Sequence, residues 1–434
     1  MVNQRASAAR ANDLAPLDPR ELELVLRPFG ESRMLPRDAY VSQAVFAWEQ
    51  RNFFGGGWLC VGRSDSVANP GDQRAESVGE AGVFLMRDGD GVLRAFANAC
   101  RHRNHELLAC GEPTVNRPLV LCPYHGWSYR LDGSLRKARD FGTSDKSSFD
   151  AADNSLVQLP SREWHGWIFV DSSGGAEPFE AHVAGLEAII GPYEPERLRV
   201  AGSHDYVVGA NWKIISENYH ECYHCPLIHP ELCAASSPLS GQNYAHSNDA
   251  GAWGGGWMEL RPDYETMSFD GRSGGTPLRG LDAHRRRIVD YIGLFPNLLI
   301  SPHPDYVMTH LLTPLGPDRT RVRCDWAFSP EDVEADGFDP SYAIDFWDVT
   351  NHQDFAACES VQRGLSSEHA IPGILSDEEG SVYEFVTLVA RGYAGLPLTA
   401  AAEAALAGEA AEVPDAAKVP DAAEVPDTAE VPAH

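Results

Sequence analysis

The chain has 434 residues, long enough for two or three domains, and its 43% apolar and 23% charged residues suffice to bury a substantial core. Lys and Arg number 35 against 63 Asp and Glu, a net charge of −28; this excludes a nucleic-acid groove as the main surface, because phosphate binding needs clustered cations. No run approaches 18 apolar residues, and the opening stretch with Arg5, Arg10 and Asp13 has no apolar h-region, so no membrane span and no secretory signal are expected, and the chain reads as cytoplasmic.

Residues 1–50 read as a leader with some helix, over Pro19 to Val25 and Ala44 to Arg51. Between about 51 and 172 short strands alternate with turns. Val83-Phe84-Leu85-Met86 and Val92 to Phe96 flank Asp88-Gly89-Asp90-Gly91, and Ser128 to Leu131 meets Asp132-Gly133, two DG hairpin signals. Trp58 to Val61, Leu119 to Leu121 and Gly166 to Val170 complete an all-β domain. Residues 173–398 mix strands (Tyr291 to Ile300, Tyr306 to Leu312, Thr320 to Phe328) with helices (about 209–223 and 341–365), which gives an α+β chain overall. From 399 the sequence turns Ala-rich and then repeats Glu-Val-Pro with a six-residue period. A Pro in every unit blocks helix, nothing there has bulk to bury, and a disordered acidic tail is expected over 399–434.

Nine cysteines, an odd number without framework spacing in a long chain, point to metal ligation rather than cross-linking. Two pairs stand out in the β domain: Cys100-Arg101-His102 and Cys122-Pro123-Tyr124-His125-Gly126-Trp127. Two thiolates and two imidazoles suit a tetrahedral zinc or a [2Fe–2S] cluster with two His on one iron. Zinc fingers pair Cys with Cys and His with His, whereas each loop here supplies one of each. That mixture favours the cluster, with Cys100 and Cys122 on one iron and His102 and His125 on the other.

The second constellation is Glu217-Asn218-Tyr219-His220-Glu221-Cys222-Tyr223-His224-Cys225-Pro226-Leu227-Ile228-His229. It admits two readings. His220-Glu221-Cys222-Tyr223-His224 matches the H-E-x-x-H of zinc hydrolases, with Glu221 as base. In the other reading His224 and His229 are the metal pair. Residues five apart lie about 140° apart on an ideal helix, but Pro226 bends the chain and Glu221 orients His224 from three residues away. A third ligand follows from helical phase. With Trp347 as reference, Ala343, Cys358, Val361 and Leu365 fall within about 40°, and Asp354 lies about 20° from the centre of that apolar stripe. A carboxylate on a buried face needs a partner. A buried salt bridge would provide one; a metal held by His224, His229 and Asp354, the 2-His-1-carboxylate triad of non-haem Fe(II) oxygenases, accounts for more of the pattern.

On these residues the sequence resembles the Rieske non-haem iron oxygenases, the aromatic ring-hydroxylating α-subunit family, over roughly 40–390. The 19 residues between His102 and Cys122 are slightly more than is usual in that family. The resemblance implies a Rieske [2Fe–2S] domain beside a helix-grip, START-like catalytic domain with an antiparallel sheet, a mononuclear Fe(II), and use of O₂. Imidazole ligation would set the cluster potential at roughly −150 to +300 mV, against about −400 mV for all-thiolate plant-type clusters. It also implies Glu221 as an electron-transfer bridge to a neighbour's His125 in a head-to-tail homotrimer or higher multiple, with Asn218 and Tyr223 as supporting residues. Electrons would come from an NAD(P)H-dependent flavin and iron–sulfur reductase or a ferredoxin, since no G-x-G-x-x-G follows a strand here. Aromatic hydroxylation is the family default. Glu221 in place of Asp, within Glu-Cys-Tyr-His-Cys-Pro, resembles the branch that acts on choline, betaine and related quaternary amines, in which hydroxylation of an N-methyl group of the small-molecule substrate leads to demethylation. Trp253, Trp257, Tyr264, Tyr291 and Phe295 are candidates for an aromatic cage, with ordinary core as the competing reading, and Gly254-Gly255-Gly256 for a pocket loop or a plain turn. A zinc hydrolase using His220, Glu221 and His224, and a pure Rieske electron-transfer protein, are the competing functions.

Overall fold

The computed structural model describes residues 14–141 and 149–407. The β domain is built from small antiparallel sheets. Strands Asp72–Val78, Ala81–Arg87 and Leu93–Ala97 form the centre of one, with the Asp88–Gly91 turn between the last two. Val120–Leu121, Ser128–Tyr129 and Leu135–Lys137 form another. Trp58–Arg63, Trp167–Asp171 and Ser161–Trp164 form a third, which carries the chain toward the catalytic half. Phe84, Phe96, Trp127 and Tyr129 fill the space under the two Cys-His loops.

The catalytic half is a seven-stranded antiparallel sheet. Its order is Arg199–Val208, Arg319–Phe328, Tyr306–Gly316, Leu298–Pro302, Ile288–Leu294, Trp253–Glu259 and Gln242–Asn243. The helix Ser341–Leu365 lies on it, gripped by Trp347 Nε1 on Tyr306 Oη (2.8 Å) and by His310 Nε2 on Asn351 Oδ1 (3.0 Å). This is the expected α+β helix-grip arrangement. Asn297 joins the halves: its amide exchanges hydrogen bonds with the Cys60 backbone at 3.2 and 2.9 Å.

Several sequence expectations shift at this level. The single strand expected over Tyr291 to Ile300 is two, turned at Phe295-Pro296 where proline cannot continue a ladder. Gly254-Gly255-Gly256 is neither loop nor turn but the start of a strand; a Cβ at Gly255 would stand 2.2 Å from the Tyr291 carbonyl of the next strand. Val361 is exposed, the buried face there running through Cys358 and Gln362, whose Oε1 accepts the Asn211 N–H (2.9 Å). The disorder expected from 399 does not hold at its start: Ala400–Ala407 is a helix, Ala-rich and therefore helix-favouring, with Thr399 Oγ1 accepting the Ala402 N–H and Glu403 paired to Arg391 at 2.6 Å. The Glu-Val-Pro repeats lie outside the described residues.

The leader packs into the catalytic half. Helices Asp38–Val41 and Gln43–Asn52 carry Tyr40 and Glu49 against the helix Trp212–Tyr219, where Tyr40 Oη donates to Glu217 (2.7 Å) and Lys213 donates to Glu49 (2.5 Å) in full burial.

Candidate active site

Cys100, His102, Cys122 and His125 stand on two turns of similar construction. The Cys100 N–H donates to the His105 carbonyl (2.9 Å) and the Cys122 N–H to the Trp127 carbonyl (2.8 Å). Gly126 has φ +69°, a left-handed conformation that lets the chain reverse directly after His125. Both cysteines are buried, while His125 is exposed. The two imidazole centroids are 4.5 Å apart, and His102 lies flat against Trp127 at 5.0 Å. The donor set fits a metal cluster on two counts. His102 Nδ1 is buried with no hydrogen-bond partner, a costly state that ligation relieves. Burial, together with the neighbouring Cys122, also pushes the Cys100 thiol up, so a bound cation favours its thiolate. Tyr129 adds something the sequence reading left out. Its Oη accepts the Arg101 N–H (3.0 Å) and lies 3.2 Å from Cys100 Sγ, so its own proton is free to point at sulfur.

In the second constellation the helix Trp212–Tyr219 ends before the motif is complete. His220 is its C-cap, Glu221 to Tyr223 form a turn, and the next helical turn is Cys225–Ile228 with Pro226 in its first turn. The bend therefore precedes Pro226, which begins a helix where its missing N–H is harmless. His220 and His224 consequently share no helical face. The His220 ring is buried, stacked on Phe385 at 5.3 Å, and its Nδ1 is engaged by the Ser216 carbonyl. Burial lowers its pKa to about 4. The H-E-x-x-H reading fails on geometry.

His224, His229 and Asp354 are brought together instead. Asp354 Oδ1 is 2.8 Å from His229 Nε2 and 3.3 Å from His224 Nε2. Donors at right angles around an ion with bonds of ~2.1 Å lie about 3 Å apart, so this spacing suits a first-row metal. The far nitrogens are fixed by carbonyl and carboxylate partners. Glu221 Oε1 takes His224 Nδ1 while its Oε2 accepts the His224 backbone N–H (3.1 Å). Gln353 Oε1 takes His229 Nδ1 (2.7 Å) and its own amide donates to Glu231 (3.0 Å). Such partners fix the tautomer that presents both Nε2 atoms. Burial pushes His224 down, but Asp354 and Glu221 outweigh it and raise the imidazole to about 9. The site thus draws positive charge. Burial likewise works against the Asp354 carboxylate, and His224 and His229 more than reverse it.

Asn218 stands at the edge of this centre, its Nδ2 3.5 Å from His224 Nε2, and Tyr223 is exposed at the cavity mouth, its backbone N–H on Glu221 Oε2. Against the expectation that the cysteines serve ligation rather than cross-linking, Cys222 and Cys225 form a disulfide on either side of His224, which leaves no thiolate there to join the histidines.

A cavity of about 380 Å³ opens on Asp354 and the two histidines. Tyr219, Tyr291, Trp257 and Trp347 wall it, and Glu221 and Glu378 add carboxylates. The aromatic candidates thus divide. Trp257 and Tyr291 line the cavity, while Trp253 donates to the Ala184 carbonyl (2.7 Å) and Phe295 packs on Phe53 (5.0 Å), both in the core. Tyr264 is outside it. Trp347, Tyr219 and His310 are the lining residues that pattern reading passed over.

Two family profiles match the chain: a Rieske [2Fe–2S] domain over residues 57–148 and the catalytic domain of ring-hydroxylating α subunits over 195–395. The chain is 31% identical over 360 residues to the carnitine monooxygenase oxygenase subunit of Escherichia coli strain K12, covering 81% of this chain and 90% of that one. It is 29% identical over 391 residues to the glycine betaine monooxygenase oxygenase subunit of Chromohalobacter salexigens, covering 83% and 85%. Among solved structures, a quaternary ammonium Rieske monooxygenase described for carnitine oxidation and inter-subunit electron transfer superposes with TM-score 0.72 at 25% identity, over 88% of this chain and all of that one. Naphthalene 1,2-dioxygenase from Rhodococcus shares the fold, with TM-score 0.67 at 19% identity, covering 88% and 98%. No helix among the described residues is long and apolar enough to cross a membrane.

Proposed function

This chain belongs to the Rieske-type ring-hydroxylating α-subunit family, and we propose that within it the enzyme hydroxylates a carbon attached to a quaternary nitrogen, an N-methyl group in the simplest case. The chain is the terminal oxygenase subunit of a multicomponent system, with a reductase as partner and a small molecule as substrate. Its cofactors are a Rieske [2Fe–2S] cluster and a mononuclear iron. The cluster supplies single electrons, and the ferrous ion supplies the position where O₂ is reduced.

The observation that carries the substrate reading is the cavity itself. The rings of Tyr219, Trp257, Tyr291 and Trp347, among others, and the carboxylates Glu221, Asp354 and Glu378 line a space of about 380 Å³. Ring faces attract an ammonium that cannot hydrogen-bond, and carboxylates neutralise it without having to touch it. The relatives named for carnitine and glycine betaine support the same choice.

In this proposal Cys100 and Cys122 hold one iron of the cluster, and His102 and His125 the other. His224, His229 and Asp354 hold the ferrous ion. Gln353 and Glu221 keep both imidazoles turned inward. Glu221 also carries the electron path between subunits, facing the partner subunit's His125 in a head-to-tail homotrimer or a higher multiple. The exposure of His125 and Tyr124 on one side, and of Tyr223 and Leu227 beside the other centre, supports an interface that covers both. Asn218 steadies His224, and Tyr223 belongs to the interface. The division into a leader at 1–50, a Rieske domain at 51–172 and a catalytic domain at 173–398, electron supply from NAD(P)H through a flavin and iron–sulfur reductase or ferredoxin, and a cytoplasmic setting complete the proposal.

The test is reductase-coupled O₂ uptake by purified protein, offered N-methylated quaternary amines and aromatic acids in parallel. Uptake with the amines, matched by release of an aldehyde, is expected. Coupled uptake with aromatic acids alone would refute the substrate assignment.

A further inference from the structure

We propose that Glu231 is a positioning residue of the metal centre: by holding the Gln353 amide nitrogen it keeps the amide oxygen on His229, and so keeps His229 Nε2 bare for the ion. This rests on reading His224, His229 and Asp354 as the ligands, and it reaches past them to a carboxylate outside the set.

The two imidazoles are backed by unlike groups. Behind His224 stands Glu221, a carboxylate. Both of its oxygens accept, so either one draws the ring hydrogen onto Nδ1. Behind His229 stands an amide, with Gln353 Oε1 2.7 Å from Nδ1. After a half-turn about its last bond the same side chain would offer an N–H there, and the ring would have to answer with a lone pair. An amide fixes the tautomer only if something fixes the amide.

Asp354 makes the wrong tautomer attractive. Its Oδ1 lies 2.8 Å from His229 Nε2, an acceptor that draws the ring hydrogen onto the very nitrogen that has to bind. A flipped Gln353 would complete that state, with Nε2–H on Asp354 and Nδ1 accepting from the amide. His229 is only 1% exposed, so water does not arbitrate between the two arrangements.

Glu231 decides the matter. It stands in the first turn of the short helix Pro230–Ala235, directly after His229, and its Oε2 accepts from Gln353 Nε2 at 3.0 Å. A carboxylate can only accept. Flipping Gln353 would therefore set the amide oxygen against an anion and break both of its hydrogen bonds at once. Gln353 itself precedes Asp354 on the helix Ser341–Leu365, so one helix carries a ligand and the group that prepares its neighbour.

The experiment uses the purified protein with its cluster in place. The mononuclear site is emptied with a chelator and refilled anaerobically with Fe(II), and the dissociation constant is read by competition with a chromophoric chelator, without turnover. Glu231→Gln supplies an amide that can donate as readily as accept, so the lock is lost. Fe(II) affinity should fall about tenfold. The melting midpoint of the emptied protein and the cluster's visible absorption should not change, because the flipped arrangement is fully paired. In the Gln353→Leu background, Glu231→Gln should cost nothing more, since its effect passes through the amide. Glu231→Gln combined with Gln353→Glu, a carboxylate that needs no lock, should bind Fe(II) as tightly as the parent, and this rescue decides alone if Gln353→Leu folds poorly. Parent-like affinity in Glu231→Gln, a lower melting midpoint of its emptied form, or a full loss that persists in Gln353→Leu would overturn the inference and leave the ligand set standing. If the parent takes up no Fe(II), or Asp354→Ala takes it up as tightly as the parent, the ligand reading falls and this one falls with it.

Discussion

Replacing Lys213 by Met should destabilise the protein strongly, although the residue lies outside both metal-binding constellations. Its ammonium and the Glu49 carboxylate are both fully buried and 2.5 Å apart. Trp212 Nε1 donates to Glu49 Oε2 at 2.9 Å, and the Tyr393 hydroxyl donates to Oε1. The ammonium also stands over the Trp212 and Tyr40 rings, at 5.0 and 5.6 Å. Methionine fills the same volume but leaves Glu49 charged or forces it to take up a proton, with only two neutral donors around it. Breaking a buried pair by removing one partner costs about 3–5 kcal/mol, far more than the pair contributes relative to an apolar replacement of both. At roughly 2–4 °C per kcal/mol for a domain of this size, the melting midpoint should fall by about 6–20 °C. Differential scanning calorimetry of Lys213→Met, Glu49→Gln and the double variant reads this directly. The double variant should recover at least half of the loss, because an amide in place of Glu49 removes the orphaned charge and still accepts from Trp212 or Tyr393. A Lys213→Met midpoint within about 2 °C of the parent, or a double variant as damaged as the single one, would show that these groups do not form the charged pair on which the reasoning depends. Since Glu49 is carried by the helix Gln43–Asn52, a large effect would also show that the leader is structurally part of the catalytic half.

Other outcomes follow from the same geometry. Asp354→Ala should leave the cluster's visible absorption intact while mononuclear iron content and turnover are lost; retained iron by metal analysis would remove Asp354 from the ligand set. His220→Ala should lose about 2–3 kcal/mol of stability by opening a cavity against Phe385, yet keep its iron, and loss of iron with the fold intact would revive the pairing of His220 with His224. Tyr129→Phe removes a hydroxyl from Cys100 Sγ and should lower the cluster midpoint potential by about 40–60 mV, the equivalent of a hydrogen bond of ~1 kcal/mol in a one-electron couple. An unchanged potential in a redox titration would show that the hydroxyl serves Arg101 alone.

What could be read in the sequence depended on whether a residue's role is local. The two Cys-His loops are short turns after strands, so spacing alone grouped Cys100 with His102 and Cys122 with His125. Asp354 was legible for a different reason: a 25-residue helix has a firm phase, and a carboxylate among Trp347, Ala343 and Cys358 had to be answered by something on the facing element. The same phase argument wrongly placed Val361 inside, because the buried face at that point runs through Cys358 and Gln362 and an ideal period does not locate its edge. Gln353 escaped notice because it lies beside Asp354 in sequence with polarity that reads as solvent-facing, and only the fold brings His229 Nδ1 to it.

The division is sharpest at His220 and His310. His220 sits inside a recognisable five-residue pattern, yet the helix ends at Tyr219 and its ring is used to pack on Phe385, so a local motif lost to chain direction. His310 belongs to no motif and lies in a strand whose neighbours are apolar, where a histidine ordinarily reads as core. Its place in the cavity wall arises from three long-range facts at once: Asn351 on the covering helix engages its Nε2, Tyr219 from another helix stands beside it, and the sheet order sets Tyr291 two strands away. None of these is encoded in spacing. The candidate cavity in this fold is assembled from the helix, the sheet and the turn between His224 and His229 together, so most of its lining is invisible in the linear chain, while the candidate ligands that short turns set in pairs are the most visible.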